Sequence, residues 1–211
     1  MGAGIKRHRT AIARPSLSRP VRLAQLLGLL TPERTFFDYG CGRGLDLKRL
    51  RESGYEVAGW DPAFAPGAPK VSADVVNLGY VVNVIEDENE RVSALRAAWE
   101  LAQHLLVVSA RIEQEASRTG TEFGDGCLTS TNTFQKYYSQ GELREWIDGA
   151  LEVQSVVVAP GIFLVFRDEG ERQEYLASRV RRRAAIQPRV SDILYQEHSE
   201  LLEPPWRALS F

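Results

Sequence analysis

Phe36-Phe37-Asp38-Tyr39-Gly40-Cys41-Gly42-Arg43-Gly44-Leu45 is the stretch of the chain that decides its fold. A β-prone run, 35–39, breaks at three closely spaced glycines, and helical periodicity follows, with Leu45, Leu47 and Leu50 interleaved with Lys48, Arg49 and Arg51. Glycines in this pattern let a backbone turn sharply and approach a ligand where a Cβ would clash. The helix they open offers unsatisfied N–H groups to a carboxylate or phosphate. Asp38, at the strand end, suits a ligand ammonium. Gly54 closes the helix, a second strand spans 55–60, and Asp61 ends it, about twenty residues past the loop, where an acid accepts the hydroxyls of a ribose. The spacing is G-x-G-x-G, Leu45 stands where a dinucleotide fingerprint has its third small residue, and there is no P-loop lysine. An adenosine ligand without a pyrophosphate is the better fit.

Outward from this core, strand and helix alternate. A short helix is predicted over 21–30, an irregular proline-containing segment over 62–72, and a continuous apolar strand over 75–84 that runs on into helix or loop. A helix over 88–102, a buried strand over 105–110, a Gly-, Thr- and Ser-rich loop over 117–132 and a helix over 140–151 follow. Runs 153–159 and 162–167, split by Pro160-Gly161, read as a hairpin, and the tail from 169 as mainly helical. This order predicts an α/β, Rossmann-like, doubly wound and mostly parallel sheet with an antiparallel C-terminal hairpin. The expected domains are a basic arm over 1–20, a ligand-binding domain over 21–168 and a helical extension over 169–211.

Composition is that of a globular chain, with 44% hydrophobic and 26% charged residues among 211. No apolar run reaches the roughly 20 residues that span a bilayer, and the N-terminus reads Lys6-Arg7-His8-Arg9 in place of an apolar leader. Cys41 and Cys127 make neither a disulfide framework nor a metal spacing, so a cytoplasmic setting without a bound metal is expected. The net charge of −2 conceals two basic clusters. One holds Lys6, Arg7, Arg9, Arg14, Arg19 and Arg22; the other holds Arg179, Arg181, Arg182, Arg183 and Arg189. The first suits an anionic partner such as nucleic acid, or an arm docked on its own domain; the second suits a solvated helix face. His104 and His198 have no partner at ligand or catalytic spacing.

Eight stretches together carry a resemblance: IKRHRTAIARPSLSRPVRLA (5–24), FDYGCGRG (37–44), GWDP (59–62), ADVVNLGYVVNVIED (73–87), LVVSAR (106–111), GDGCLT (124–129), TFQKYYSQ (133–140) and APGIFLVFRD (159–168). The chain resembles the DNA phosphorothioation-associated methyltransferases, a branch of the class I S-adenosylmethionine-dependent methyltransferases. The resemblance implies S-adenosylmethionine as methyl donor and a place beside DNA-modification systems. It puts Asp38, Gly40, Gly42 and Gly44, with Tyr39 among them, on the donor-binding loop, and Asp61 on the ribose-binding acid. It also implies a helix and a third strand between Asp61 and Asp74, yet only a dozen residues remain there. At about 1.5 Å per helical residue they cannot supply both elements, so the reading admits a missing third strand and a remodelled adenine side.

Two alignments of 74–87 stay open. Asn77 and Tyr80 have the spacing of the N-P-P-Y motif of amino-methyltransferases, without its prolines. The segment 80–87 also fits the post-strand segment of small-molecule enzymes. Either way, Asn77 and Tyr80 are expected near the transferred methyl, Asn77 touching the donor as well. Thr133 to Tyr138 is a candidate substrate wall in which Tyr138 orients the acceptor, or a loop anchored by Phe134 and Tyr138. Direct in-line transfer needs proximity and orientation more than acid–base groups. Two other functions share these residues: a non-catalytic module binding the donor or nucleic acid, and a donor-consuming enzyme that transfers or cyclises the aminopropyl part.

Overall fold

A computed structural model describes residues 5–10, 15–116 and 120–186, with side chains omitted at 8 and 182–186. Arg14, Arg189 and His198, and the side chains of Arg182 and Arg183, therefore lie outside the described residues. The chain divides into two compact units, one ending at Arg167 and the other beginning at Asp168.

In the first unit β1 (Phe36–Tyr39) pairs in parallel with β2 (Val57–Trp60) on one side and β3 (Ala73–Gly79) on the other. β4 (Ala102–Ser109) continues the parallel run beside β3, and β8 (Val156–Ala159) and β9 (Ile162–Phe166) close it as an antiparallel hairpin. The order is β2-β1-β3-β4-β9-β8. The chain leaves β1 toward β2 and then returns across β1 to β3, so the topological switch point lies between β1 and β3. Among the described residues no strand stands beyond β2; residues 61–72 contain only an isolated bridge between Asp61 and Ala65.

The strands are apolar on both faces because helices cover both. Phe37, Val76, Leu106 and Val165 share one face, with Ala94, Leu95 and Ala98 of α3 (Glu88–Leu101) and Leu143 and Ile147 of α4 (Gln140–Leu151) in the same core. The opposite face carries Phe36, Val75 and Leu105, all buried, and α1 (Arg19–Leu26) packs on β3 and β4 there. Burying each large aliphatic side chain contributes roughly 1.5–3 kcal/mol. α3 starts where Asp87 accepts from the Glu90 amide at 2.8 Å, and Ser139 and Glu142 form a capping box at the start of α4.

Two expectations change. The strand expected over 75–84 ends at Gly79, because Tyr80 takes φ +60° and turns the backbone out of the sheet. The loop expected over 117–132 holds β5 (Thr121–Phe123) and β6 (Gly126–Leu128), and β7 (Phe134–Gln135) completes a second, three-stranded sheet. Three-residue strands are too short for an alternating pattern to show. In the second unit α5 (Glu169–Ile186) is capped by Asp168, which accepts from the Glu171 amide at 2.8 Å.

Asp125, in the turn between β5 and β6, ties the small sheet to the core. Its carboxylate takes Arg91 of α3 at 2.6 and 2.5 Å and Lys136 at 2.8 Å, and Lys136 also meets Glu142 at 2.7 Å. Arg91 is buried, and its hydrogen bonds hold the Asp125 carboxyl far below the usual carboxylate range. Asp125→Ala leaves that guanidinium unpaired, so we expect about 3 kcal/mol of destabilisation in denaturant melts. A depressed carboxyl stabilises above its unfolded pKa, roughly 3.9, and the gain is lost as pH falls through the folded value. The wild-type advantage over the variant is therefore expected to be full at neutral pH and to shrink only in strong acid.

Candidate functional site

A cavity of about 960 Å³ opens along the carboxyl ends of the parallel strands, at the upper end of the roughly 300–1,000 Å³ usual for ligand sites. Its wall follows the sheet order: Trp60 to Phe64 after β2, Tyr39 to Arg43 at the end of β1, Gly79 to Val81 at the end of β3, Arg111 after β4. At about 4.8 Å per strand this edge is about 14 Å long.

The glycine loop has the shape its sequence predicts. Gly40 has φ +87°, and a Cβ there would stand 2.4 Å from Cγ2 of Val81, so the turns after β1 and β3 touch. Gly44, at φ +68°, caps α2 (Leu45–Glu52); around it space is open, and the left-handed backbone alone selects glycine. The Gly40 and Cys41 amides donate to the Trp60 carbonyl at 2.8 and 3.1 Å. Asp61 Oδ2 accepts from the Gly42 amide at 3.0 Å, and Oδ1 accepts from Ala63 and Phe64 at 2.8 and 3.0 Å. The candidate ribose acid thus also fixes the loop, and it lines the cavity. Cys41 lies between carboxylates: burial first, then Asp38 and Asp61, push its thiol up to about 12. This surrounding suits a cationic ligand.

Parallel register sets Asp38 opposite Asn77, and Asn77 Nδ2 donates to Asp38 Oδ1 at 2.8 Å. Both are buried and lie outside the cavity wall, beneath Gly79, where a Cβ would meet Asn77 Nδ2 at 2.7 Å. Tyr39, Gly40, Gly42, Asp61 and Tyr80 line the cavity; Asp38, Gly44, Asn77 and Tyr138 do not. Tyr80 is held by its amide, which donates to the Ser109 carbonyl at 2.8 Å, in a left-handed conformation unusual for an aromatic residue. Tyr138 is 1% exposed and packs on Trp146 in the core, and its burial raises its phenol pKa. Phe134 is likewise buried, so these two aromatics anchor their loop.

Sequence reasoning missed one part of the site and left a second open between a nucleic-acid contact and docking on its own domain. Asn83, 1% exposed, lines the cavity, and its side-chain oxygen has no hydrogen-bond partner. Its only signal was its place three residues after Tyr80. The second part is the arm. Arg7, in the short helix Arg7–Thr10, donates to Glu86 at 2.8 Å and to both oxygens of Glu90 at 2.6 and 2.7 Å, while the Lys6 amide donates to the Asn132 carbonyl at 3.0 Å. Arg7, Arg9, Thr10, Ser16 and Leu17 thereby become cavity wall. At the β2 end, Lys70 lies over the Trp60 ring at 3.8 Å and donates to the Tyr39 hydroxyl at 3.0 Å, and Arg43 lies over Phe64 at 5.2 Å. Among the described residues no group of three His, Cys, Asp or Glu could hold a metal ion, and no helix is long and apolar enough to cross a membrane.

The fold is the Rossmann-like fold of class I methyltransferases. Among solved structures, the chain is similar to a sugar N-methyltransferase from Streptoalloteichus sp. at 14% identity, over 80% of this chain and 99% of that one, with a TM-score of 0.52. It is similar to an S-adenosylmethionine-bound amino pentose methyltransferase from Micromonospora echinaspora at 16% identity, over 78% and 93%, with a TM-score of 0.51. A methyltransferase from Streptomyces caelestis matches at 15% identity, over 76% and 95%, with a TM-score of 0.50. No protein-family model and no curated protein matches the chain in sequence. None of these comparisons links it to DNA phosphorothioation.

Gly40→Ala is expected to lower stability by about 2 kcal/mol through overpacking, and Val81→Ala to restore part of the loss in a double-mutant cycle. Cys41 is expected to resist iodoacetamide at pH 8, with its alkylation, followed by mass spectrometry, rising only as pH nears its raised pKa of about 12.

Proposed function

We propose that the chain is an S-adenosylmethionine-dependent methyltransferase that acts on a small molecule. The observation that carries this reading is one cavity joining the glycine loop, Asp61 and the turns after β3 and β4. The residues fit the donor: loop and helix N–H groups suit its carboxylate, Asp61 Oδ2 has one lone pair left for a ribose hydroxyl, and the acidic surroundings of Cys41 suit its positive charge. The likeness in fold to two solved methyltransferases supports the same reading.

The donor supplies a methyl group already activated on sulfur, so the chain's task is to hold two reactants in line and keep water out. Gly42 and Asp61 hold one end of the cavity; Tyr80 and Asn83 face the acceptor at the other. Asn77 acts through Asp38, as a positioning residue under the floor.

The resemblance seen in the sequence raised DNA as acceptor. Two observations favour a small molecule. Glu86 and Glu90 neutralise Arg7, which removes it from phosphate binding, and the arm lies along the cavity wall, where a polymer would have to displace it.

Calorimetric titration tests the donor site. S-adenosylmethionine is expected to bind at micromolar affinity, and Asp61→Ala to weaken it about 10- to 100-fold, the worth of one hydrogen bond to a charged group. Asp61→Asn, which retains an acceptor oxygen, separates ribose binding from collapse of the loop by its thermal melt. Absence of heat and of thermal shift with both S-adenosylmethionine and S-adenosylhomocysteine overturns the reading. Turnover yielding methylthioadenosine in place of S-adenosylhomocysteine would turn it to aminopropyl chemistry.

A further inference from the structure

The β4 end of the cavity carries more positive charge than the chain uses. Arg111, two residues past β4, lines it half-buried; its backbone carbonyl takes the Tyr138 amide at 3.0 Å, and its side chain makes no ion pair among the described residues. Arg22 lines the same cavity from α1, which packs on β3 and β4, again without a carboxylate partner among the described residues. Arg9 enters from the arm, and its guanidinium reaches the Thr131 carbonyl at 3.5 Å. Arg7 differs, since Glu86 and Glu90 neutralise it. The acids of the wall do not cancel this excess: six arginines line the cavity against four carboxylates, Asp46, Asp61, Glu90 and Glu115. Arg19 opens α1 one turn before Arg22, whose amide donates to the Ser18 carbonyl at 2.9 Å, and it lines the same cavity.

A second observation lies beside these cations. The Asn83 side-chain oxygen is buried in the wall without a partner, although the Asn83 backbone carbonyl accepts from the Lys136 amide at 2.8 Å and Gln135 Nε2 at 3.0 Å. Such an orphaned acceptor is unfavourable until a donor reaches it. Thr133 and Gln135 add polar groups to the same wall.

Guanidinium groups held apart from carboxylates suit planar oxyanions, which they bind through paired N–H groups. We propose that the acceptor is a small anion whose carboxylate or phosphate is held by Arg9, Arg22 and Arg111, and whose hydroxyl or amine donates to Asn83. The inference rests on the donor reading above and names the substrate class of that site. The donor does not meet this need alone: Asp61 and Arg111 stand at opposite ends of the edge, three strand spacings or about 14 Å apart.

The test titrates inorganic phosphate, and separately citrate, into the full chain with and without saturating S-adenosylhomocysteine. We expect the anion to bind the loaded protein, and Arg111→Ala and Arg22→Ala each to weaken it about tenfold, the loss of one charge-assisted bond. Affinity for S-adenosylhomocysteine should be unchanged, and Arg111→Lys should restore part of the loss. Whether phosphate or citrate binds better identifies the anionic group. Displacement of S-adenosylhomocysteine by the anion would assign the arginines to the donor and overturn the proposal, as would anion binding equal in wild type and variants. Tight, steeply salt-dependent binding of a short oligonucleotide, lost in the same variants, would overturn it in favour of a polymer. If S-adenosylhomocysteine does not bind, the donor reading fails, and titration of the unloaded chain still decides whether the arginines form an anion site.

Discussion

The turn after β1 and the turn after β3 meet at Gly40 and Val81, with no room between them for a single methyl group. Everything around the cavity depends on that approach. It closes the crevice at the switch point, where diverging crossovers leave the carboxyl ends of two neighbouring strands uncovered by helices. It brings the glycine loop within reach of Asp61, which then holds the Gly42 amide, and it sets the backbone path that leaves Tyr80 left-handed in the wall. Packing at one glycine therefore shapes both ends of the site.

Charge is distributed along the same edge. At the β2 and β1 end, burial, followed by Asp38 and Asp61, raises the Cys41 thiol pKa, and the two carboxylates make the surroundings acidic. At the β4 end, the wall carries guanidinium groups that make no ion pair among the described residues. The arm joins the two walls: Arg7 carries a charge-assisted fork to Glu90 and a further bond to Glu86, stronger than a neutral contact of the same length. Because Glu90 lies in the first turn of α3, it serves that helix dipole and the arm together.

The β2 edge shows how a short connection covers the side of a sheet. With no third strand, the edge at β2 lies open, and Trp60 would stand uncovered. Lys70, from the connection that replaces the strand, lies across Trp60 and bonds the Tyr39 hydroxyl. A short loop thus covers an aromatic pair that a further strand and helix would otherwise bury.

The parallel sheet, its closing hairpin and the glycine loop were legible in the sequence because each rests on local chemistry. Period and glycine spacing mark strand, turn and helix, and twelve residues cannot hold two elements. The place of Asp61 at the end of a strand was legible for the same reason, since it follows from chain order. Tertiary structure alone decided which polar residues share one surface. Asn77 and Asp38 pair beneath the floor because register sets them opposite, and Tyr138 is buried because its loop packs on Trp146. Asn83, Arg111 and Arg22 meet in one wall from three segments distant in sequence. The arm's basic residues read alike in the sequence, yet among the described residues Arg7 alone finds two glutamates about eighty residues away. Local patterns specify elements; convergence of side chains from distant elements depends on how those elements pack, and no short stretch of chain encodes it.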